Sequence, residues 1–133
     1  MTYWDDSLLV GIPQIDSGHR KLLDSIGKLM DACAQGKSRA EITQILNSIV
    51  SHAKDHILDE ENLQQWRAYP GINAHKRAHA QFCMQVEALE KELEATGPNV
   101  ALIAKFNKTL VVWYINHIST EDKKLCEYIN SKT

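Results

Sequence analysis

The chain has 133 residues, a length that fits one domain around one hydrophobic core, so residues 1–133 are predicted to form a single domain. Hydrophobic residues make up 44% and charged residues 24% of the chain, which excludes a disordered or fibrous protein. The formal net charge of −2 argues against a protein that binds nucleic acid or an anionic membrane surface.

Glycine and proline divide the sequence into four long segments, none of which contains a proline in its interior. The breaks are Gly36, the run Tyr69-Pro70-Gly71 and the pair Gly97-Pro98. The four segments are predicted to be helices, each bounded by these turn residues. Their predicted spans are about 17–35, 39–67, 73–95 and 99–130.

A residue suited to capping precedes each predicted helix. Asp16 is predicted to cap the first helix, and Ser38 with Glu41 forms a capping box for the second. Asn73 is the predicted cap of the third helix and Asn99 that of the fourth. These start signals agree with the breaks that glycine and proline make.

Apolar residues recur with a 3-4 spacing in all four segments, the pattern of helices that pack side by side. Short connections make neighbouring helices antiparallel. Residues 1–15, which include Trp4, Ile12 and Pro13, precede the pattern and are predicted to form a non-helical arm along the bundle. The predicted fold is all-α: an up-down-up-down antiparallel four-helix bundle with this N-terminal arm.

Five of the six histidines and one glutamate occupy positions within these apolar stripes. A buried polar group without a partner costs roughly 1–3 kcal/mol, so a core histidine usually has one hydrogen bond, an explanation that fails for five. Residues that open helices 1 and 3 lie beside residues late in helices 2 and 4, at one end of the bundle. A metal site is therefore predicted there. The residues are His19, His56, Glu60, His75, His79 and His117.

The apolar stripe of the fourth helix shifts by one residue after His117, where it continues through Ile118, Asp122, Leu125 and Ile129. One inserted residue, such as a π-bulge, explains the shift, and π-bulges are frequent at functional sites. In a regular α-helix, His117 and Asp122 would point about 140° apart. The bulge turns both toward the core, so Asp122 is predicted to be a second carboxylate of the cluster.

The cluster has too many donors for one metal ion. Five imidazole nitrogens, two carboxylates that each bridge two ions, and one bridging oxygen supply about eleven bonds, one fewer than two octahedral ions accept. The count predicts a pair of metal ions with one open coordination position for a small ligand. A pair held by two carboxylates and several histidines suits iron.

Five motifs follow one another along nearly the whole chain. They are His19 preceded by Ile15-Asp16, the run His56-Ile-Leu-Asp-Glu60-Glu61, the turn Tyr69-Pro70-Gly71, His75-x-x-x-His79, and Trp113-x-x-x-His117-Ile118-x-x-x-Asp122. This order resembles that of the hemerythrin family, and of the bacterial hemerythrins in particular. The resemblance implies a non-haem centre of two iron ions with a bridging oxo or hydroxo group, which binds dioxygen reversibly.

The resemblance also implies a role for each cluster residue. One iron would be held by His75, His79 and His117. The other iron would be held by His19 and His56, and it would keep the open position. Glu60 and Asp122 would bridge the two ions. Apolar walls around the dioxygen pocket would exclude water and protons, and the predicted wall residues are Ile57, Trp113, Tyr114 and Ile118.

Three positions depart from the usual residues of the family. Gly18 stands where glutamine is usual, Ile57 where phenylalanine is frequent, and Tyr114 where leucine is common. Tyr114 has two interpretations. Its hydroxyl either faces the site, where it anchors a water or donates to the bound ligand, or points to the helix boundary and bonds backbone or solvent from a half-exposed position.

Three further polar residues lie near the predicted ligands, and two of them have an alternative interpretation. His52 is predicted to be a surface histidine, with a role in orienting a ligand as the alternative. Asp16 is predicted to be a helix cap, with a hydrogen bond to His19 as the alternative. Glu61 points about 100° away from Glu60 and is predicted to be solvated.

Nothing in the sequence predicts export or membrane insertion. The longest apolar run, 110–115, is far too short to span a bilayer, and the acidic N-terminus lacks the apolar segment of a signal peptide. Cys33, Cys83 and Cys126 are an odd number without metal-type spacing, as expected for reduced thiols. A cytoplasmic location is therefore predicted.

The favoured function is non-enzymatic: a monomer that carries, stores or delivers dioxygen, with an oxygen-consuming enzyme as a candidate partner. One alternative is an oxygen or redox sensing domain, which is less favoured because sensors usually carry further domains and this chain ends at Thr133. The other is a di-iron enzyme that reacts with peroxide or nitric oxide. The Glu-x-x-His motifs of ferritin-like oxygenases are absent, which argues against it.

Overall fold

The computed structural model describes residues 3–131, and these residues form four long helices and no strand. Helix α1 spans Pro13–Ala34, α2 spans Arg39–Trp66 and α3 spans Ile72–Thr96. Helix α4 runs without interruption over residues 100–131. Each helix packs on the next along the chain and α4 packs on α1, which closes the bundle. The predicted all-α four-helix bundle is confirmed.

Two of the four predicted helix caps are confirmed and two, Asn73 and Asp16, are wrong. The Ser38 hydroxyl accepts a hydrogen bond of 3.2 Å from the backbone N–H of Glu41, and the Asn99 side chain accepts one of 2.8 Å from Leu102 N–H. Helix α3 begins before Asn73, with Gly71 at the N-cap. A Cβ at position 71 would lie 2.8 Å from the Tyr69 ring, so a larger residue there would displace that ring.

The first helix begins earlier than predicted, so Asp16 is not its cap. Helix α1 starts at Pro13, whose fixed backbone angle suits the first helical position. Asp16 lies in the first turn, where its carboxylate accepts hydrogen bonds from the backbone N–H groups of Val10 at 2.8 Å and Gly11 at 3.3 Å. Its hydrogen bonds therefore hold the arm against α1, and do not go to His19.

The N-terminal arm, described from residue 3, packs against the bundle as predicted. A short 3-10 turn, Asp6–Leu8, is its only regular structure, and Leu8 is buried in the core. Tyr3 and Trp4 are partly buried against the same core. Pro13 belongs to α1 and not to the arm, and residues 1 and 2 of the predicted arm lie outside the described residues.

Helix α4 contains two π-helical segments, Asn107–Trp113 and Ile118–Asp122. The second confirms the bulge predicted from the shifted stripe: His117 and Asp122 are 3% and 1% exposed, so both face the core. The first was not predicted. Because a π turn holds more residues than an α turn, the residues after each segment are rotated relative to a regular α-helix.

The core is divided along the bundle axis into an apolar part and a polar end. The apolar part is filled mainly by leucine, isoleucine and phenylalanine side chains, among them Leu22, Leu46, Phe82 and Phe106. Cys33, Cys83 and Cys126 are free thiols. No helix in the described part of the chain is long and apolar enough to cross a membrane.

We expect Asp16→Ala to lower the free energy of unfolding by about 1–2 kcal/mol, because it removes the acceptor of two backbone hydrogen bonds that hold the arm. Urea unfolding followed by tryptophan fluorescence measures the change. Asp16→Asn, which keeps one side-chain oxygen, should lose less. An unchanged unfolding midpoint for Asp16→Ala would show that the arm does not depend on this carboxylate.

Candidate metal centre

The structure brings all seven predicted ligand residues together at the polar end of the bundle. Six of the seven side chains are buried, and His56 is the most exposed at 12%. Their ligand atoms form two groups that could each hold a metal ion, with the atoms of each group within 4.8 Å of one another. One group contains Glu60, His75, His79, His117 and Asp122, and the other contains His19, His56 and Glu60.

Helix α2 places the Glu60 carboxylate between these two groups. One carboxylate oxygen faces each group. Its Oε1 lies 2.8 Å from Nε2 of His75 and 3.5 Å from Nε2 of His79. Its Oε2 lies 3.2 Å from Nε2 of His56 and 3.8 Å from Nε2 of His19. Glu60 therefore separates the histidines into two sets.

The second π segment of α4 turns the Asp122 carboxylate toward the core. Its two oxygens also face different histidines. Its Oδ1 lies 2.8 Å from Nε2 of His75 and 3.3 Å from Nε2 of His117. Its Oδ2 lies 2.9 Å from Nε2 of His19. We call His75, His79 and His117 the three-histidine side, and His19 and His56 the two-histidine side.

Although these atoms lie close together, several buried polar atoms among the described residues have no hydrogen-bond partner. The unpartnered atoms include both ring nitrogens of His19, Nε2 of His56 and both oxygens of Glu60. On the three-histidine side, Nε2 of His117 lies 3.1 Å from Nε2 of His75 and 3.3 Å from Nε2 of His79. Lone pairs that face one another in a dry core are stabilised by a cation between them, so this donor set fits a metal.

Three side chains outside the ligand set contact the far nitrogens of the three-histidine side. Glu61 Oε2 accepts a hydrogen bond of 2.9 Å from His79 Nδ1. The prediction that Glu61 is solvated is therefore wrong. Glu121 Oε2 lies 3.6 Å from His117 Nδ1. A hydrogen-bonded carboxylate such as Glu61 fixes the proton on Nδ1 of the ring and leaves Nε2 free for a metal.

Gln64 is the third of these outer side chains, and its side-chain amide lies 3.0 Å from His75 Nδ1. Its amide nitrogen faces the ring and its Oε1 is buried without a partner. Rotating the amide by about 180° lets Oε1 accept from the Nδ1–H, the arrangement that a metal on Nε2 of His75 requires. The contact of Gln64 with His75 was not predicted from the sequence, although Gln64 lies four residues after Glu60 on the same helix face.

On the two-histidine side, the His56 ring packs directly against the backbone of α1 at Gly18. A Cβ at position 18 would lie 2.8 Å from His56 Cε1 and still closer to Nδ1, so only glycine leaves room for the ring. An open groove of about 350 Å³ leads to this edge of His56. His52 lines the groove and is exposed, as predicted for a surface histidine.

The four predicted pocket residues lie at different depths. Ile118 is buried and Ile57 is half-buried. The Trp113 ring stacks on the His117 ring, with centroids 5.0 Å apart and planes 8° apart. Tyr114 is only 4% exposed and its hydroxyl has no hydrogen-bond partner among the residues that the structure describes, so the half-exposed interpretation of this residue is wrong.

The cluster perturbs the pKa of its own members. Burial opposes a positive charge on His19 and His75, but close contact with Asp122 and Glu60 outweighs burial and raises the pKa of both imidazoles to about 9. Burial alone would raise the pKa of Glu60 and Asp122, but the surrounding histidines hold both below their usual values. Without a metal, protons are therefore held tightly in the centre.

Comparison with known proteins agrees with this donor set. A family model described as the hemerythrin HHE cation binding domain matches residues 10–129. A bacteriohemerythrin of Pseudomonas aeruginosa is 32% identical over 119 residues, which are 90% of this chain and 75% of that protein. A bacteriohemerythrin of Stenotrophomonas maltophilia is 27% identical over 96% of this chain and 81% of that protein. A myohemerythrin of Riftia pachyptila is 31% identical over 91% of this chain and 88% of its own length.

We expect Gly18→Ala to weaken metal binding on the two-histidine side, because the added Cβ displaces the His56 ring. Metal analysis of the purified variant should give about half the wild-type metal content. Ser17→Ala, on an exposed neighbouring position of α1, is the matched control and should keep the full content. Wild-type metal content in Gly18→Ala would show that His56 binds without the close approach at Gly18.

Metal affinity should rise with pH between about 6.5 and 9. The usual histidine pKa of 6.5 is raised to about 9 at His19 and His75, so a metal must displace protons at neutral pH. The same shift stabilises the metal-free protein fully below pH 6.5, and this contribution is lost as the pH rises through about 9. Calorimetric titration in buffers of different ionisation enthalpy counts the protons released. Binding without proton release at pH 7 would contradict the expectation.

Proposed function

Since the chain belongs to the hemerythrin family, we propose that it binds dioxygen reversibly at a centre of two iron ions joined by a bridging oxo or hydroxo group. The proposed role is transport, storage or delivery of dioxygen rather than catalysis. Membership of the family supports oxygen binding at a di-iron site. The buried cluster of histidine and carboxylate side chains fits a metal site and is consistent with iron.

The observation that carries the proposal is the division of the two buried carboxylates. Glu60 and Asp122 each turn one oxygen to the three-histidine side and the other to the two-histidine side. A carboxylate that bound a single ion would be expected to face one set of imidazoles only. Division by both carboxylates supports two ions that share two bridges.

The unequal number of histidines supports one open coordination position. Three imidazoles, two carboxylate oxygens and a bridging oxygen would complete six bonds on one side, whereas the other side would have five. The open position would therefore lie on the two-histidine side, near His19 and His56. Two ferrous ions held by these residues would supply the two electrons that reversible dioxygen binding requires.

The protein contributes burial, orientation and the exclusion of water. Ile118 and Phe82 are almost fully buried beside the ligands, and Trp113 packs between Phe82 and the His117 ring. Glu61 holds the orientation of His79 by accepting from its Nδ1–H. A dry, rigid site slows the entry of protons. Protons that reached the bound dioxygen would favour its release as peroxide, so their exclusion keeps binding reversible.

We also propose that an oxygen-consuming enzyme accepts the dioxygen, that the protein is a monomer and that it is located in the cytoplasm. The wall residues Ile57, Trp113, Tyr114 and Ile118 are likewise proposed as the pocket around the open position.

We expect about two irons per chain, and a reduced protein that gains colour in air and loses it again under argon. Metal analysis and repeated absorption spectra test the two statements together. His79→Ala should lose iron, whereas His52→Ala, an exposed histidine that lies outside both ligand groups, should keep both irons. A single iron, stoichiometric zinc in iron-rich medium, or an irreversible colour change would each contradict the proposal.

A further inference from the structure

The Tyr114 hydroxyl is a buried polar group that the described protein leaves without a hydrogen bond. We propose that this hydroxyl donates a hydrogen bond to the small ligand at the centre and so favours ligands whose outer atom carries negative charge. The inference rests on the proposed di-iron function, since it assigns a residue to the ligand of that centre. It goes further by giving the binding pocket a specific polar donor.

The position of the Tyr114 ring supports this assignment. The ring stands almost perpendicular to the His19 ring, with centroids 6.0 Å apart and planes at 85°. On another side it stacks with Phe82 at 5.5 Å. Tyr114 therefore lies against the two-histidine side, where the count of donors leaves the open position.

The energetics of burial favour a partner for this hydroxyl. A phenylalanine in the same place would fill nearly the same volume without taking a hydroxyl out of water. An unpaired buried hydroxyl costs stability, and that cost is recovered when an acceptor arrives. Because residues 3–131 supply no acceptor, a ligand that enters the pocket is the candidate partner.

The charge around Tyr114 keeps the phenol in its donor form. Burial, together with the nearby carboxylates of Asp122 and Glu60, raises the pKa of Tyr114 well above its usual value. The hydroxyl therefore holds its proton at neutral pH. A neutral phenol gives its strongest hydrogen bonds to charged acceptors, which is why ligands with a negatively charged outer atom should gain most.

Azide is a suitable probe, because it is a small anion whose outer nitrogen accepts a hydrogen bond. Iron-loaded, oxidised protein is titrated with azide and followed by visible absorption, with the iron content of every variant measured. Tyr114→Phe should keep about two irons and bind azide about 10- to 100-fold more weakly, the range expected for a hydrogen bond to a charged acceptor.

Tyr128→Phe is the matched control, because its hydroxyl donates to the Ala68 carbonyl at 3.3 Å, outside the centre. Azide affinity should be unchanged in this variant. A second readout separates a ligand contact from a structural one. Without azide, Tyr114→Phe should melt no lower than the wild type, because it loses no partner within the protein. With saturating azide, it should gain less thermal stability than the wild type.

Several results would overturn the inference. Unchanged azide affinity in Tyr114→Phe would do so, while two irons and a normal azide spectrum would leave the di-iron proposal intact. A lower melting temperature without azide, combined with unchanged affinity, would assign the phenol to packing. A wild type that holds no iron pair would remove the proposed function and this inference together.

Infrared spectroscopy of the wild type gives a test that does not depend on the variant. The stretching band of bound azide should shift between H2O and D2O, because the deuterated phenol changes the hydrogen bond. Tyr114→Phe should reduce this shift wherever it retains iron. A band that does not move in the wild type would also overturn the inference.

Discussion

Five imidazoles and two carboxylates, of which only His56 is partly exposed, meet at one end of the bundle, and the rest of the structure is arranged around this cluster. Glu60 and Asp122 are close enough for their charges to oppose each other, as the effect of Glu60 on the pKa of Asp122 indicates. Helix packing alone does not compensate such a set of groups. Protons on His19 and His75, or a bound cation, must balance the carboxylate charges. The stability of this end of the bundle therefore depends on whether a cation is bound.

The two sides of the centre are supported in different ways, and the difference matches the proposed function. On the three-histidine side, His75 and His79 have hydrogen-bonding partners in Gln64 and Glu61, which restrict their rings. On the two-histidine side, both nitrogens of His19 lack a hydrogen bond and His56 borders an open groove. Under the proposed function, the three-histidine side would hold its ion rigidly, and the two-histidine side would leave room for a ligand to enter and leave.

The sequence predicted the bundle and the seven clustered residues because both follow from helical period and antiparallel packing. It also predicted the bulge after His117, since the stripe shifts by one residue there. It misjudged Glu61, because a turn of about 100° describes where the Cβ points and not how far a long side chain reaches across to α3. Asp16 was misassigned because aspartate suits both a cap and a later position in the first turn.

The burial of Tyr114 has the same physical origin as the inward turn of Asp122. The spacing of Phe106, Leu110 and Trp113 is regular, so nothing in the sequence marked the π segment Asn107–Trp113. By holding an extra residue per turn, this segment rotates the chain that follows it, and Tyr114 is buried instead of half-exposed. The second segment then does the same for Asp122. Two local departures from the α-helix therefore bring the Asp122 carboxylate and the Tyr114 phenol to the same centre from one helix.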